Sequence, residues 1–297
     1  MTAPLALEDL VELERALQAA LARGEKGELQ ILGYGEISCV VAWSSRGTRW
    51  ACKRLPTFPN AASAERYAAL FDEYLASLRA HGVQPIESAL QRTEVEGGLA
   101  VWCVQPMLAP TSLLPEWLRT ASTEDALAMI ERVTRTIVGC VTPTLGLDAQ
   151  ASNWVLVDGD LRYLDVTTPM LRDPTGAERL ELDLFLASLP WLMRPAVRRF
   201  MLRGILDKYY DGRGVVLDLL GNLLKEHLDP LLAPAVTRAN TQLGTRPPIG
   251  EAEARRYYAR DASDWSLLQR LRRLDRAWQR SVRRRTYPFL LPGRIER

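Results

Sequence analysis

Histidine and cysteine are scarce in this 297-residue sequence. The two histidines, His81 and His227, argue against a histidine-rich metal site and against a Ser-His-Asp triad. The four cysteines show neither a metal-ligand spacing nor a disulfide framework, and they are Cys39, Cys52, Cys103 and Cys140. We therefore expect reduced thiols in a core rather than a disulfide-stapled or zinc-binding fold.

Long apolar runs are also missing. No stretch reaches the ~18 apolar residues that a membrane span requires. The N-terminal sequence M-T-A-P-L-A-L-E-D-L carries acidic residues where a secretory signal would have a basic start. With 47% apolar and 25% charged residues, the composition is typical of a soluble globular protein. We expect a cytoplasmic protein without a transmembrane segment.

Lysine is the third scarce residue, since the only lysines are Lys26, Lys53, Lys208 and Lys225. Arginine supplies the other cations, so a lysine in an apolar setting invites a chemical explanation. The net charge of +2 hides an uneven distribution, because residues 255–297 hold 13 arginines and four acidic residues. The rest of the chain is correspondingly acidic.

The periodicity of apolar residues predicts an N-terminal helix, a small antiparallel sheet crossed by one helix, and a mostly helical remainder. The predicted strands are residues 28–32, 39–44, 50–55 and 99–105, with a hairpin over 154–165. The predicted helices are residues 5–23, 61–79, 125–141, 178–190, 195–210, 214–229 and 251–285. We expect three parts: an N-terminal helix (1–27), a sheet lobe (28–107) and a helical lobe (108–297).

The first candidate motif joins a glycine-containing loop to a lysine. Residues 32–40 read L-G-Y-G-E-I-S-C-V between two predicted strands, and Lys53 follows in the apolar segment A-C-K-R. Glycines allow backbone N–H groups to approach phosphate oxygens, and a strand lysine can pair with the same phosphates. The alternative interpretations are an ordinary hairpin turn and a solvated lysine at a strand edge.

The second motif is the loop G-L-D-A-Q-A-S-N over residues 146–153, which leads directly into the predicted hairpin. Asp148 can accept a proton from an attacking hydroxyl, while Asn153 and Asp165 offer hard oxygen ligands suited to Mg²⁺. The alternative is a set of turn-capping side chains and a strand-end aspartate that faces water. The ordered combination of D-x-x-x-x-N, hairpin and closing aspartate favours the catalytic interpretation.

Together these motifs resemble the protein-kinase-like superfamily, nearer its aminoglycoside phosphotransferase and choline kinase branch than the eukaryotic protein kinases. The resemblance covers about residues 28–190. It implies an α+β, two-lobed fold, in which a small antiparallel-sheet lobe with one packed helix binds nucleotide above a mostly helical lobe. It also implies ATP and Mg²⁺ as cofactors.

The resemblance implies a role for each matching residue. Gly33, Gly35 and Ser38 match the glycine-rich loop, Lys53 the phosphate-pairing lysine, Gln105 and Met107 the hinge, Asp148 the catalytic aspartate, and Asn153 and Asp165 the metal ligands. For the carboxylate that pairs with the lysine, Glu73 is the first candidate and Glu65 the second. Asp183 resembles the helix aspartate that braces the catalytic loop, with a helix-surface charge as the alternative.

Three positions depart from the family pattern. Ser38 replaces the third glycine, Gly146 stands where the loop usually has histidine, and Val166 follows Asp165 in place of phenylalanine. We expect an ATP- and Mg²⁺-dependent phosphotransferase acting on a hydroxyl of a small molecule or peptide. The alternative is a nucleotide-binding pseudokinase that acts as a regulatory scaffold. Asp207, Asp211 and Asp218 are candidate carboxylates of an acceptor pocket, or surface charges.

The arginine-rich end is a separate feature. Residues 270–285 contain eight arginines, interleaved with Leu271, Leu274, Trp278 and Val282. We expect the apolar positions to pack against the helical lobe and the basic face to meet an anionic partner, such as RNA, an acidic lipid surface or an acidic protein. The alternatives are a solvated helix that offsets the acidity of the rest of the chain and, as a third functional class, a nucleic-acid-associated protein.

Overall fold

The structure is a computed structural model, and it describes residues 4–34, 39–182, 186, 202–284, 287 and 290. Within those ranges, no helix combines the length and the apolar composition needed to cross a membrane. The chain there builds one five-stranded sheet, one two-stranded hairpin and a set of helices.

The larger sheet is antiparallel throughout, with the spatial order β1-β2-β3-β5-β4. Its strands are β1 (Ile31–Tyr34), β2 (Cys39–Ser45), β3 (Thr48–Arg54), β4 (Ala89–Val95) and β5 (Gly98–Pro106). Arg46 and Gly47 both have positive φ, of 50° and 76°, as expected for the tight turn between β2 and β3. Strands β3 and β5 therefore lie in the interior of the sheet, where both edges of each are hydrogen-bonded.

The helices precede, interrupt and follow the sheet. They are α1 (Leu7–Arg23), α2 (Ala61–Ala80), α3 (Leu114–Thr120), α4 (Thr123–Cys140), α5 (Leu202–Asp207), α6 (Gly212–Lys225), α7 (Asp229–Gln242) and α8 (Glu251–Ser281). Side chains cap several of their N-termini: Asn60 accepts from the backbone N–H of Ser63 at 2.9 Å before α2, and Asp211 accepts from that of Gly214 at 3.0 Å at α6. Helix α1 ends at Gly24, whose φ of 77° suits a glycine C-cap.

The two faces of the sheet are covered by different helices. On β5, Ala100, Trp102 and Val104 pack with α1, whereas Val101 and Cys103 join the core that includes α2. This division follows from the strand geometry, because successive side chains point to opposite faces. The face under α2 continues into the helical part of the chain, since the same core cluster includes buried residues of α4, α6 and α7. One face is thus closed by α1, and the other faces the helical half of the protein.

The hairpin consists of β6 (Trp154–Val157) and β7 (Asp160–Tyr163). Asp158 and Gly159 form its turn with φ values of 52° and 81°, which is the Asp-Gly turn that the sequence predicts. The hairpin also contacts the loop after α2, because the backbone N–H of Tyr163 donates to the carbonyl of Gln84 at 2.8 Å. The end of β7 is thereby tied to the sheet half of the molecule.

The predicted fold class is confirmed: the protein is α+β and two-lobed, with a small antiparallel sheet, one helix packed across it, and a mostly helical second part. Three elements escaped prediction. Strand β4 is an edge strand whose sequence A-L-Q-R-T-E-V lacks clear alternation, α3 has only seven residues, and α7 contains Pro230 and Pro234 near its start. The helix predicted over 178–190 is absent at residues 178–180, and most of its remainder lies outside the described residues.

The prediction for the arginine-rich helix is wrong in its orientation. Of the four predicted apolar positions, Leu274, Trp278 and Val282 are exposed by 67%, 47% and 57%, so they do not pack against the helical lobe, and Leu271 is half-buried. The opposite face is buried instead, although it carries the polar residues Gln269, Arg272 and Asp275. Helix α8 also ends at Ser281, before the predicted end at residue 285.

Candidate active site

Lys53 and Asp165 form an ion pair between distant segments of the chain. The distance from Lys53 Nζ to Asp165 Oδ1 is 2.7 Å, across 112 residues of sequence. On β3, Cys52 points into the core beneath α1, so Lys53 points from the opposite face, beside Cys103 of β5. Asp165 follows β7, which is fixed against the sheet half through Tyr163. The strand register and the hairpin together bring the two side chains into contact.

The carboxylate of Asp165 is held in its charged form. Its Oδ1 accepts hydrogen bonds from Lys53 Nζ, from the backbone N–H of Thr167 at 3.3 Å and from Thr167 Oγ1 at 2.9 Å. Burial alone raises the pKa of Asp165, but the positive charge of Lys53 and these hydrogen bonds outweigh it, so the pKa lies below its usual value. Asp165 is therefore ionised at neutral pH, as a metal ligand must be.

Asn153 is oriented by the loop that contains Asp148. Its Nδ2 donates to the carbonyl oxygen of Asp148 at 2.9 Å, and the phenol of Tyr163 donates to the same oxygen at 3.0 Å. The backbone carbonyl of Asn153 accepts from Leu164 N–H at 2.8 Å, directly before Asp165. Because Nδ2 is engaged inside the loop, the amide oxygen of Asn153 is the atom that remains for a cation. The loop and the end of the hairpin are therefore one hydrogen-bonded unit.

Gly146 has no room for a side chain. A Cβ at this position would lie 2.9 Å from Cβ of Met170, 3.0 Å from Cε1 of Tyr210 and 3.2 Å from the carbonyl oxygen of Tyr209. The loop is braced instead by Tyr74, whose phenol donates to the carbonyl of Gly146 at 3.1 Å. The histidine expected from the family pattern is thus replaced by tyrosines at other positions, and the backbone of the loop remains fixed.

Two further lysines lie around this loop. Lys225, at the end of α6, donates to Oε1 of Gln150 at 2.9 Å. Lys208 donates to the phenol of Tyr257 at 3.0 Å, and its Nζ lies 3.8 Å from Oδ1 of the buried Asp218. Burial alone lowers the pKa of Lys208, but the charge of Asp218 and the contact with Tyr257, with a contribution from Asp148, raise it above its usual value. Lys208 is therefore a cation, and the next residue, Tyr209, accepts a hydrogen bond from the backbone N–H of Leu147, beside Asp148, at 3.0 Å.

The three candidate acceptor-pocket carboxylates differ in their surroundings. Asp218 is buried and accepts from the phenol of Tyr257 at 2.7 Å. Asp211 caps α6, and Asp207 is mostly exposed and pairs with Arg172 at 2.7 Å. Of the three, Asp218 is the one that contacts Lys208 and Tyr257, and Tyr209 next to Lys208 is bonded to the loop with Asp148.

Glu73 does not pair with Lys53. Its carboxylate accepts two hydrogen bonds from Arg179, one of them from Nη2 at 2.7 Å, and its side chain is 49% exposed. Glu65 lies 3.5 Å from Arg92. Glu73 lies beside the buried stripe of α2 rather than on it, so it faces outward and meets a different cation. Among the described residues, the carboxylate in contact with Lys53 is that of Asp165.

Gln105 reaches toward the hairpin rather than toward solvent. Its Nε2 donates to the carbonyl of Leu164 at 2.8 Å and to Ser88 Oγ at 3.0 Å. The backbone N–H of Met107 lies 3.4 Å from the carbonyl of Arg49, at the end of the β3–β5 pairing. Gln105 thus fixes the backbone next to Asp165, a role that its position in the sequence does not reveal.

The glycine-rich segment is described only in part. Gly33 lies in β1 opposite Val40, next to an irregularity in the strand register after Ile31. Gly35 and Ser38 lie outside the described residues, as does Asp183. Their predicted roles remain predictions.

The donor set around Asp165 fits a magnesium ion shared with a nucleotide. In the described ranges, there is no group of three or more His, Cys, Asp or Glu side chains that holds a metal ion by itself. Mg²⁺ is commonly bound by one or two protein oxygens together with phosphate oxygens and water. Asn153 and Asp165 have oxygens of that type and number and could hold such an ion, and Lys53 could pair with the phosphates.

The small antiparallel sheet with a helix between β3 and β4, followed by a mostly helical part that contains the hairpin, is consistent with a two-lobed, kinase-like fold. The chain belongs to the Family of unknown function (DUF6206), whose model matches residues 12–276. Among solved structures, it is similar to the kinase domain of PknI from Mycobacterium tuberculosis, in its C20A mutant. That match has a TM-score of 0.36 and 18% identity, and covers 82% of this chain and 85% of that one. No curated protein matches the chain.

Proposed function

We propose that this protein is an ATP- and Mg²⁺-dependent phosphotransferase that transfers a phosphoryl group to a hydroxyl of a small molecule or peptide. Within the kinase-like proteins, we assign it to the neighbourhood of the aminoglycoside phosphotransferase and choline kinase branch. The observation that carries the proposal is the 2.7 Å contact between Lys53 and Asp165, two side chains from different halves of the fold. Asn153 and Asp148 lie in the loop bonded to that same hairpin.

In this proposal, each side chain has one task. Lys53 binds phosphate oxygens of ATP, which replace Asp165 as its acceptor when nucleotide enters. Asn153 and Asp165 hold the magnesium ion, which neutralises charge on the phosphates. Asp148 orients the acceptor hydroxyl and takes its proton. Gly33, Gly35 and Ser38 contribute backbone N–H groups to the phosphates, and Gln105 and Met107 flank the adenine.

We assign the acceptor to the side of the loop where Lys208, Asp218 and Tyr257 meet. These three side chains form a hydrogen-bonded cluster, with Tyr257 contacting both of the others. Because Tyr209, next to Lys208, accepts from the backbone N–H of Leu147 at 3.0 Å, the cluster lies beside the loop that carries Asp148, and a molecule bound there would present its hydroxyl to Asp148. Such a cluster combines a cation, an anion and an aromatic ring, which suits a polar acceptor.

The test is magnesium-dependent consumption of ATP by the purified protein in the presence of candidate hydroxyl acceptors. Asp148→Ala is expected to reduce turnover by a factor on the order of 10³ or more, because the hydroxyl loses its base and its orientation. The matched control is Asp160→Ala, which removes an exposed aspartate of the hairpin that follows this loop and should leave turnover unchanged. A wild-type protein that consumes no nucleotide with any acceptor would contradict the proposal.

One observation favours a nucleotide-binding pseudokinase instead. Oδ1 of Asp165 already accepts from Lys53 and twice from Thr167, and Val166 next to it is fully buried, so the aspartate is held in its present position. In that case ATP would raise the thermal stability of the protein without being consumed. Phosphate release in a single-turnover assay would rule out this second function.

A further inference from the structure

The second half of α8 presents an apolar stripe to solvent. Leu267, Leu274, Trp278 and Val282 are exposed by 57%, 67%, 47% and 57%. Their spacing of seven, four and four residues places them on one side of the helix, over a length of roughly 22 Å. Large apolar side chains grouped on a surface in this way indicate an interaction site.

The orientation of this helix is fixed by contacts on its other sides. In its first half, Ala254 is buried, and Tyr257 contacts Asp218 of α6. Near its end, Arg280 donates to the carbonyl oxygens of Ala22 and Arg23, the last residues of α1, at 3.3 and 2.9 Å. Burial of Gln269, Arg272 and Asp275 completes the inward face. The apolar stripe therefore faces away from the protein as a consequence of how α8 is held.

The charge around the stripe is strongly positive. Arg270, Arg283 and Arg284 are exposed beside it. Between residues 265 and 284 the only acidic residue is Asp275, which is buried. The surface thus combines leucine, valine and tryptophan with an excess of arginine, the composition of helices that lie in the interface of anionic bilayers.

We propose that α8 is a peripheral membrane-binding helix, which inserts Leu267, Leu274, Trp278 and Val282 among the acyl chains of an anionic lipid surface while its arginines contact the phosphate headgroups. Pairing with a second copy is disfavoured, because facing stripes would bring like-charged arginines together. Binding to RNA would use the arginines but would leave the leucines and the valine exposed. An anionic lipid surface satisfies both parts of the patch at once.

The experiment measures co-sedimentation of the full-length protein with vesicles. Vesicles of phosphatidylcholine alone are compared with vesicles that also contain phosphatidylglycerol, at low and high salt. We expect binding to the anionic vesicles, little binding to the neutral ones, and weakening by salt, since exposed charges are screened. Equal binding to both lipid mixtures, or none to either, would overturn the proposal.

Variants separate the stripe from a general effect of charge or of exposed leucine. Leu274→Asn should weaken partitioning by on the order of tenfold, because one leucine no longer enters the acyl region. The matched control is Leu7→Asn, which alters a leucine of nearly the same exposure, 66%, on α1. Both variants should unfold at the same temperature as the wild type, since both side chains are exposed. Equal losses in the two variants would contradict a role for the stripe.

Two further measurements address the other occupants. Analytical ultracentrifugation should give a monomer that is unaffected by Leu274→Asn, and a dimer that this variant dissociates would assign the stripe to a second copy. Retention on single-stranded RNA that is unchanged by Leu274→Asn, together with no vesicle binding, would assign the helix to nucleic acid. Because the experiment measures partitioning of the protein onto vesicles, its result does not depend on whether the protein transfers phosphate.

Discussion

Lys53 and Arg54 are neighbours on β3 that serve opposite faces of the same sheet. Lys53 contacts Asp165 at 2.7 Å, and Arg54 contacts Glu14 of α1 at 3.1 Å. The side chain of Glu14 is only 5% exposed, whereas that of Asp165 is 32% exposed. One ion pair is sealed inside the protein, and the other opens toward solvent.

The two carboxylates also differ in what surrounds them. Glu14 accepts from Arg54, from Nε1 of Trp102 at 2.8 Å and from Gln18 at 2.7 Å, so that its hydrogen-bonding capacity is used for fixing α1 on the sheet. Asp165 follows Leu164, which is bonded to the loop that carries Asp148 and Asn153, whose side-chain oxygens can also bind a cation. An ion pair between a basic and an acidic side chain thus has a structural role where it is enclosed, as for Arg54 and Glu14, and can exchange a partner for a ligand where it borders an open loop, as for Lys53 and Asp165.

The largest effect is expected on the rate of phosphoryl transfer, at the partly exposed pair of Lys53 and Asp165. Lys53→Met should reduce phosphoryl transfer by a factor on the order of 10² to 10³, because the phosphates lose their cation. The free energy of unfolding should change by about 1 kcal/mol or less, since the pair is partly exposed. Steady-state kinetics and urea unfolding measure the two quantities, with the exposed Lys26→Met as control. Normal turnover in Lys53→Met would contradict a role for Lys53 in phosphoryl transfer.

The enclosed pair of Arg54 and Glu14 should affect stability strongly and turnover little. Arg54→Met is expected to lower the free energy of unfolding by about 3 kcal/mol, because it leaves the carboxylate of Glu14 buried without its cation. Turnover per folded molecule should be nearly unchanged. Adding Glu14→Gln should recover part of the loss, since no buried charge remains. The single variant Glu14→Gln completes the cycle. If the loss of unfolding free energy in the double variant equals the sum of the losses in the two single variants, the two residues are not coupled.

The next effect concerns the loop that borders the open pair. Gly146→Ala should lower the free energy of unfolding by about 2 kcal/mol, because its Cβ would crowd Met170 and Tyr210. Turnover should fall as the loop with Asp148 shifts. The matched control is Gly139→Ala in α4, which should be tolerated because a Cβ there would meet no atom within 4 Å. Equal stability of both variants would mean that the loop can move aside at little cost.

The smallest expected effect is the change that Lys53→Met makes to the reactivity of one thiol, and it distinguishes the two faces of the sheet. Burial raises the pKa of Cys52, on the face under α1, and of Cys103, on the face with Lys53, to about 12 each. Both should therefore react with a thiol reagent at pH 8 more slowly than a free cysteine by a factor on the order of 10² or more. The charge of Lys53 lowers the pKa of Cys103 against the effect of burial, so Lys53→Met should slow Cys103 further and leave Cys52 unchanged. Mass spectrometry of timed labelling would locate each modified thiol.

Local chemistry explains which features the sequence could reveal. Lys53, Asp148, Asn153 and Asp165 can be proposed from the sequence because their types and spacing belong to short segments with recognisable strands and turns, and their roles stay predictions. The hairpin followed from a single Asp-Gly pair. The pairing of Glu73 with Arg179 was not accessible, because it joins residues 106 positions apart whose meeting depends on the packed fold.

The orientation of α8 could not be predicted from the sequence, for a different reason. A helical period identifies an apolar stripe but not the surface that covers it, and here the covered face is the polar one. Tyr74 and Tyr163, which brace the loop, lie outside it in sequence and carry no local signal. Lysine scarcity was the one hint that pointed to Lys208 and Lys225 as well as to Lys53.

That scarcity has a chemical consequence. Of 38 basic residues, four are lysines, and three of those lie at the loop with Asp148 or at the end of the hairpin that follows it: Lys225 contacts Gln150, Lys208 precedes Tyr209, which is bonded to Leu147, and Lys53 contacts Asp165. An acylating reagent that modifies primary amines and spares guanidinium groups would therefore have only four side-chain targets. The exposed Lys26 should react first, and the other three should react more slowly because they are ion-paired or hydrogen-bonded. The labelling rate of Lys53, Lys208 and Lys225 relative to that of Lys26 would then report whether a bound ligand covers or releases these three amines.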